Sequence, residues 1–120
     1  MLKPIPARIL RTTATVSVCS GVDMYQNQTY TTTTVKRTHL QPTNEVRKTT
    51  DNTEVVLRSI LFVDAQLSKP FLDWEAQLKA AHDVGGDMRV TVRGVEYTVM
   101  GVDALRDDTD KLHHFEVALV

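Results

Sequence analysis

Threonine and valine constrain the fold of this chain more than any other feature of its sequence. Each occurs 16 times among the 120 residues, and β-branched side chains favour a pleated sheet over a helix. Apolar and polar residues alternate from Leu10 to Val18, which predicts a half-buried strand at about 8–19. A second strand is expected from Thr29 to Leu40. A third, apolar on both faces and therefore central, is expected over Glu54–Asp64.

One segment departs from this alternation and is typical of an amphipathic helix. Four apolar residues recur at helical spacing: Phe71, Trp74, Leu78 and Ala81. Asp73 is a candidate N-cap, because its carboxylate can accept hydrogen bonds from the unpaired N–H groups of the first turn. Gly85 and Gly86 can adopt the positive φ that ends a helix. The sequence therefore predicts one helix near 73–84.

The last third of the chain returns to strands. Alternating residues on either side of Arg93-Gly94 predict a hairpin over 88–99, because glycine at the second turn position permits a tight connection. A final strand is expected over 112–120. About six short antiparallel strands with one helix indicate a mainly β, α+β fold, either a small barrel or a sandwich. Since 120 residues can build one core but not two, we expect a single domain over 1–120.

The inward-facing positions of the predicted strands define a candidate core. Its members are Val16, Val18, Leu57, Leu61, Val63, Val90, Tyr97, Val99, Phe115 and Val117. Within the central strand, Leu57 and Leu61 are assigned to the same face, because their spacing is an even number of residues. Burial of these side chains would confirm the phase of the alternation.

The longest polar stretch lies between the second and third strands. Residues 41–53 (QPTNEVRKTTDNT) contain one strongly apolar residue, Val46. So little apolar surface cannot offset the entropy that is lost when a chain becomes ordered. A connection of this length in a compact domain is usually functional or disordered. We therefore interpret 41–53 as a long exposed loop that is mobile in the isolated protein.

Charge is distributed unevenly along the chain, although its formal total is only −1. Residues 1–48 hold seven basic and two acidic residues, a net of +5, and residues 49–120 hold seven basic and thirteen acidic residues, a net of −6. The small total indicates no general bias towards nucleic acid. Opposite charges on two parts of one chain suit head-to-tail contacts between copies, which form a ring when the rotation closes.

No arrangement of side chains in the sequence predicts catalysis or ligand binding. There is no glycine-rich phosphate loop and no nucleophile in a recognisable setting, so we expect no enzymatic activity, cofactor or metal. His113 and His114 are neighbours in a predicted strand and are expected to face opposite sides, where they cannot share a metal ion. The acidic run Asp107–Asp110 lacks the spacing of a calcium loop. No apolar run approaches the ~20 residues that span a bilayer, so no membrane partner is expected.

Three strings, taken in order, resemble a known family. They are Lys3–Leu10 (KPIPARIL), Gly94–Val99 (GVEYTV) and Lys111–Val120 (KLHHFEVALV). In order and spacing they are similar to the minor capsid, or head-completion, proteins of tailed bacteriophages, known as stoppers or head–tail connector proteins. One departure is the segment Phe71–Gly86, which is a longer connection than many relatives have. The resemblance implies a small antiparallel β-barrel with an accessory helix, and a non-enzymatic protein of the virion.

The resemblance also implies an assembly and its partners. Such proteins associate into a ring, for which the family implies twelve copies, below the portal or adaptor ring. The ring helps to retain packaged DNA and offers a docking surface to tail-completion proteins. The expected location is therefore the head–tail interface of the virion. During assembly it is the host cytoplasm, since the first residues (MLKPIP) lack the features of a signal peptide.

In this family a long loop between early strands projects into the channel and helps to close it, and residues 41–53 occupy the equivalent place. The candidate channel-loop and DNA-proximal residues are Asn44, Arg47, Lys48, Thr49, Thr50 and Thr53. Arg47 and Lys48 would place positive charge near the DNA, in a contact that does not depend on base sequence. The threonines could pair with those of neighbouring copies.

Two alternatives are compatible with the same sequence. A tail-terminator or tail-completion subunit uses similar small β domains. A single-strand nucleic-acid-binding β-barrel is less well supported, because such proteins stack bases on aromatic platforms. Here the aromatic residues of the strands are scattered and mostly assigned to the core: Tyr30, Phe62, Tyr97 and Phe115.

Overall fold

Six strands of the chain pair edge to edge into a sheet that closes on itself. The computed structural model describes residues 7–49 and 51–120. In chain order the elements are a 3₁₀ helix (Ala7–Ile9), β1 (Thr12–Val22), β2 (Gln28–Pro42), β3 (Val46–Lys48), β4 (Glu54–Val56), β5 (Ser59–Asp64), α1 (Trp74–Asp83), β6 (Met88–Val92), β7 (Val95–Arg106) and β8 (Leu112–Leu119). Around the closed sheet the order is β1-β2-β5-β8-β7-β6, and every pair is antiparallel. The predicted mainly β class, with six antiparallel strands and one helix, is confirmed.

The longest strand, β2, changes partners along its length. It pairs with β1 from its start, and its last residues, Thr38 to Pro42, pair with β5. A bulge lies at the change, where Thr12 is opposite Thr38 but Ala14 is opposite Val35. Arg37, inside the bulge, takes a φ of 63°. Because a bulge bends and twists its strand, it directs the end of β2 towards β5.

The hairpin of β6 and β7 forms where it was predicted. Val92 lies opposite Val95, and the two residues between them, Arg93 and Gly94, have φ values of 52° and 78°. A two-residue hairpin turn of this kind needs positive φ at both positions. β7 then continues to Arg106, beyond the predicted end of the hairpin, and pairs with β8.

The main core fills the space inside the barrel. Nine of the ten predicted core residues are at most 9% exposed, and Val18 is partly buried. Helix α1 packs against β1, β6 and β7, and it adds Trp74 and Ala81 to this core. As predicted, Asp73 caps the helix, because its carboxylate accepts a hydrogen bond from the Ala76 N–H at 3.2 Å. Within the described part of the chain, no helix has the length and apolar character needed to cross a membrane.

The predicted central strand over Glu54–Asp64 is wrong in one respect. The segment is interrupted at Leu57-Arg58, between the end of β4 and the start of β5. Because the interruption resets the alternation, Leu57 does not share a face with Leu61. Leu57 packs with Ile60 and Ala118 in a second cluster, whereas Leu61 belongs to the main core.

Turns define the two ends of the barrel. Since β1 and β6 are antiparallel partners, the start of β1 lies at the same end as the β6–β7 turn. The connection from β2 to β5 leaves from this end too, because Pro42 is opposite Ser59. The β1–β2 turn (residues 23–27) and the β7–β8 turn (residues 107–111) lie at the opposite end.

Candidate assembly and DNA-contact surfaces

A two-stranded ribbon, residues 46–56, leaves the barrel between β2 and β5. In it β3 pairs with β4, separately from the barrel sheet. Val46 and Val56 lie opposite each other and are 54% and 59% exposed. Most described residues of the long loop predicted over 41–53 are exposed, but the segment is not loop throughout, since β2 extends through Pro42 and β3 follows. Strands of three residues are too short to show alternation, so the polar composition concealed the hairpin.

Hydrogen bonds hold the base and the turn of the ribbon. At the base, the Leu57 N–H donates to the Glu45 carbonyl at 2.9 Å. At the turn, the Thr49 N–H donates to the Thr53 carbonyl at 2.9 Å. The Asp51 carboxylate accepts hydrogen bonds from the Thr49 hydroxyl and the Thr53 N–H. These bonds, that of Thr49 most, hold the pKa of Asp51 below its usual value.

The two basic candidates of the ribbon have different surroundings. Arg47 donates to the Glu45 carboxylate at 2.9 Å and to Asp103, on β7, at 3.4 Å. The hydrogen bond to Glu45 raises the pKa of Arg47. Lys48 is exposed and lies opposite Glu54, and it forms no ion pair with any described residue. Lys48 is therefore the basic side chain of the ribbon that is available to a partner.

The remaining candidate residues are spread along the ribbon and its base. Asn44 is exposed just before β3. Thr49 and Thr53 meet at the turn, where the Thr49 hydroxyl oxygen also lies 3.3 Å from the Thr53 carbonyl oxygen. Thr50 lies outside the described residues. The structure thus brings Thr49 and Thr53 together through bonds within one chain.

Three arginines surround a depression at the end of the barrel where β1 starts. Arg8, Arg11 and Arg93 are all exposed, and among the described residues no carboxylate lies within ion-pair distance of them. The depression has a volume of about 450 Å³ and is also lined by Ile9, Thr12, His39 and Leu40. We call it the arginine depression. Local sequence reasoning missed it, because the β6–β7 turn brings Arg93 to residues from the start of the chain.

A mainly apolar pocket adjoins the arginine depression on the outer wall of the barrel. It has a volume of about 310 Å³ and is lined by Ile9, His39, Gln41, Phe62 and His114. The Phe62 ring lies between the two imidazoles, 5.9 Å from that of His39 and 6.2 Å from that of His114, measured between ring centroids. We call it the aromatic pocket. Ile9 and His39 line both this pocket and the arginine depression.

The prediction that His113 and His114 face opposite sides is wrong. Their Nδ1 atoms lie 2.7 Å apart, and His114 Nε2 lies 3.0 Å from the Glu116 carboxylate. The cause is an irregularity in the pairing of β8 with β7, where His114 is opposite Leu105 but Leu112 is opposite Arg106. His113 is thus an extra residue in β8, and an extra residue interrupts the alternation of side chains.

The β1–β2 turn presents two large apolar side chains to solvent at the other end of the barrel. Met24 is 85% exposed and Tyr25 is 78% exposed. The Asp23 carboxylate accepts hydrogen bonds from the Tyr25 N–H at 2.8 Å and the Asn27 N–H at 2.9 Å. The bond from Asn27 contributes most to a pKa of Asp23 below its usual value. The one sequence signal of this surface is the apolar pair inside a turn-forming segment.

The β7–β8 turn adds further negative charge at the same end. The Asp107 carboxylate accepts hydrogen bonds from the Thr109 hydroxyl at 2.7 Å, the Thr109 N–H at 2.9 Å and the Lys111 N–H at 3.0 Å. These bonds, that of the hydroxyl most, hold the pKa of Asp107 below its usual value. Across residues 7–49 and 51–120, no group of three or more His, Cys, Asp or Glu side chains is placed to hold a metal ion. Residues 107–111 hold three acidic residues and one basic residue, so the turn carries net negative charge.

A comparison with known proteins identifies the family. The family model for minor capsid proteins matches residues 6–119, a range that includes every strand and helix described above. No curated protein matches the chain. The chain therefore belongs to this family of phage minor capsid proteins, which makes it a structural component of the virion that associates with other virion proteins.

Proposed function

We propose that this minor capsid protein is a subunit of the phage head–tail connector. Copies assemble as a ring below the portal, help to retain packaged DNA and offer a docking surface to the tail. The observation that carries the proposal is the ribbon, which extends from one end of a closed barrel and keeps its Val46 and Val56 side chains more than half exposed. In a ring, each copy would direct the same hairpin towards a common channel.

The contact with DNA in this proposal depends on Lys48. The ribbon, residues 46–56, holds two basic and two acidic residues, a net of 0, so it has no general attraction for a polyanion. Arg47 is engaged by Glu45 and Asp103, whereas Lys48 is exposed. A single lysine at the same position of every copy would place a ring of positive charge around the DNA. Such a contact is made to the phosphate backbone and does not depend on the base sequence.

Ring assembly is supported by the placement of charge on the barrel. The arginine depression lies at one end, and the acidic β1–β2 and β7–β8 turns lie at the other. Surfaces of opposite sign on one chain favour contacts between unlike faces of neighbouring copies, and such contacts close into rings. The charge asymmetry between residues 1–48 and 49–120 is reflected only in part, because Arg93 of the depression lies in the acidic part of the chain and Asp23 of the β1–β2 turn lies in the basic part.

Shortening the ribbon tests the role in DNA retention. Because Val46 lies opposite Val56, residues 47–55 can be replaced by Asn-Gly, which closes a two-residue hairpin turn. We expect heads that carry the short ribbon to release their genome, while the thermal midpoint of the isolated protein changes little. The measurement is nuclease-sensitive DNA in purified heads.

Two variants with the full-length ribbon separate the role of the Lys48 charge from that of the ribbon's length, the first as a test and the second as its control. Lys48→Gln removes the charge and should weaken retention, whereas Lys79→Gln, on the exposed side of α1, should leave it unchanged. Retention of the genome by heads with the short ribbon would refute the gating role, provided that the variant is present in those heads.

The two alternative functions predict different outcomes. A tail terminator would be found in purified tails and would be absent from DNA-filled heads that lack tails, so quantification of the chain in both particles separates it from a connector subunit. A single-strand nucleic-acid-binding protein would shift single-stranded DNA strongly at low salt and lose affinity steeply as salt rises. For a connector subunit we expect only weak binding in solution.

A further inference from the structure

We propose that the β1–β2 turn of one copy inserts Met24 and Tyr25 into the aromatic pocket of a neighbouring copy. This contact would be the interface between subunits, and it rests on the proposed ring assembly. The proposed contact joins two different surfaces, the turn of one copy and the pocket of the next. The proposed occupant of the pocket is thus a second copy of this chain.

The turn has the properties of an inserting element. Tyr25 and Met24 are 78% and 85% exposed, and tyrosine is among the residues that contribute most to protein interfaces. The backbone behind them is held by the Asp23 carboxylate and by a hydrogen bond from the Asp23 N–H to the Asn27 carbonyl at 3.0 Å. A turn that is already ordered loses little conformational entropy on binding.

The pocket has the properties of a receptor for such a turn. Its volume of about 310 Å³ exceeds that of a tyrosine side chain. Phe62 and the imidazoles of His39 and His114 present ring faces and edges, which pack favourably against another aromatic ring. Gln41 adds an amide within the lining, which can form a hydrogen bond with a tyrosine hydroxyl.

Charge complementarity favours a second copy as the occupant. The inserted turn carries the Asp23 carboxylate, next to Met24 in the chain, and the β7–β8 turn with Asp107 lies at the same end. The aromatic pocket shares Ile9 and His39 with the arginine depression, where Arg8 and Arg11 are exposed. An acidic knob would thus enter an apolar pocket with a basic rim, an arrangement that guides and orients association.

The two surfaces lie apart on the barrel. The turn lies at the end of the barrel opposite the arginine depression, so one chain can place its turn in one neighbour and receive the turn of another neighbour in its pocket. A reciprocal two-fold dimer would use the same two surfaces, and it would give a closed dimer in place of a ladder when both surfaces carry a cysteine. In the head-to-tail arrangement that we propose, an open assembly has one free turn at one end and one free pocket at the other. Such a contact continues until the ring closes.

Disulfide trapping tests the contact even when it is weak. Tyr25→Cys and Ile9→Cys are made in separate chains of different mass, and the native Cys19 is buried. Under mild oxidation we expect the mixture to give the mixed dimer, neither variant alone to form dimers, and the double variant to give a ladder of higher oligomers. Lys79→Cys, on the exposed side of α1, paired with Tyr25→Cys provides the background yield.

Either of two results would overturn the proposal. Dimers of Tyr25→Cys alone would indicate a turn-to-turn contact, and a mixed yield equal to that of the Lys79→Cys control would indicate no contact between turn and pocket. The ring itself is assessed separately by counting and locating the chain at the vertex of heads. A ring without this cross-link would refute the interface and leave the proposed function intact, whereas heads without a ring would refute the proposed function.

A substitution experiment measures the strength of the same contact. Met24→Ser with Tyr25→Ser should weaken self-association by about thirty-fold, which corresponds to the ~2 kcal/mol of an interface hot spot. Ile9→Glu, which adds negative charge at the exposed wall of the pocket, should weaken it as well. Because each variant retains one intact surface, a mixture of the two should form dimers and nothing larger. Larger assemblies in the mixture would contradict the proposal, provided that circular dichroism shows both variants folded.

Discussion

The barrel and the ribbon are both antiparallel, but different interactions hold them together. In the barrel, Val16 and Val117 are fully buried in the main core. In the ribbon, Val46 and Val56 stay more than half exposed. The ribbon is held in place by its backbone hydrogen bonds and, in addition, by the ion pairs of Arg47. Since burial of apolar surface is the largest favourable contribution to folding, the barrel supplies the stability of the chain. Substitutions in the ribbon that serve assembly should therefore lower the folding stability of the chain very little.

The largest expected effect is the loss of a core side chain of the barrel. Phe115 and Leu61 are 2% and 0% exposed. Truncation of either to Ala should lower the free energy of unfolding by about 3–4 kcal/mol, because burial is lost and a cavity remains. Denaturant unfolding measures this change, and a loss below about 0.5 kcal/mol at both sites would contradict the assignment of the core.

A smaller effect is expected where α1 leads into β6. A Cβ atom on Gly86 would lie 2.1 Å from Cys19 Sγ and 2.4 Å from Cys19 Cβ. Gly86→Ala should therefore destabilise the barrel by about 1–3 kcal/mol through overpacking. Gly101→Ala is the matched control, because a Cβ there meets no atom within 4 Å. An equal change in thermal midpoint for both variants would show that the close approach to Cys19 is unimportant.

An effect of about 1 kcal/mol is expected for Tyr30→Phe, which removes a hydrogen bond. The Tyr30 hydroxyl donates to the Asp87 carboxylate at 2.6 Å. Burial, followed by this contact with Asp87, raises the pKa of Tyr30 to about 12 from 10.0. The folded state thus favours the neutral phenol. The contribution of the neutral Tyr30 side chain to the free energy of unfolding is complete below pH 10 and is lost as the pH rises to about 12. The wild type should lose stability in that window, and Tyr30→Phe should lose less. Parallel pH profiles of the two proteins would disprove this assignment.

The smallest effect on folding is expected in the ribbon. Val46→Ser with Val56→Ser should change the free energy of unfolding by less than about 0.5 kcal/mol, as for other exposed sites. Val16→Ser in the barrel is the matched control and should be far more damaging, because it places a hydroxyl in the main core. A cost above 1 kcal/mol for the ribbon pair would remove the distinction between the two regions.

Local signals in the sequence were sufficient for the helix and for most strands of the barrel, but not for the interruption at Leu57-Arg58 or the full length of β7. The cap at Asp73, the apolar spacing of α1 and the turn at Arg93-Gly94 each act within a few residues, and all three appear in the structure as predicted. The phase of the alternation also identified most of the core, since a strand that is long enough repeats its pattern several times.

The sequence was insufficient where the structure depends on short strands, irregular pairing or distant residues. The ribbon strands have three residues each, so their polar composition resembled that of a loop. An extra residue in β8 placed His113 beside His114, and no feature of the alternation marks such a bulge. The arginine depression joins Arg8 and Arg11 to Arg93, and their proximity follows from strand pairing alone.

The barrel is closed by a short pairing between its first strand, β1, and β6. β1 pairs with β6 through four residue pairs, from Thr15 opposite Thr91 to Val18 opposite Met88. During synthesis β1 emerges early and β6 late, so this edge of β1 has no partner until most of the chain has left the ribosome. Pairing between such distant segments slows folding, and an open strand edge is a template for association with other chains. The interval between the synthesis of β1 and that of β6 is therefore when a nascent chain is most prone to aggregate.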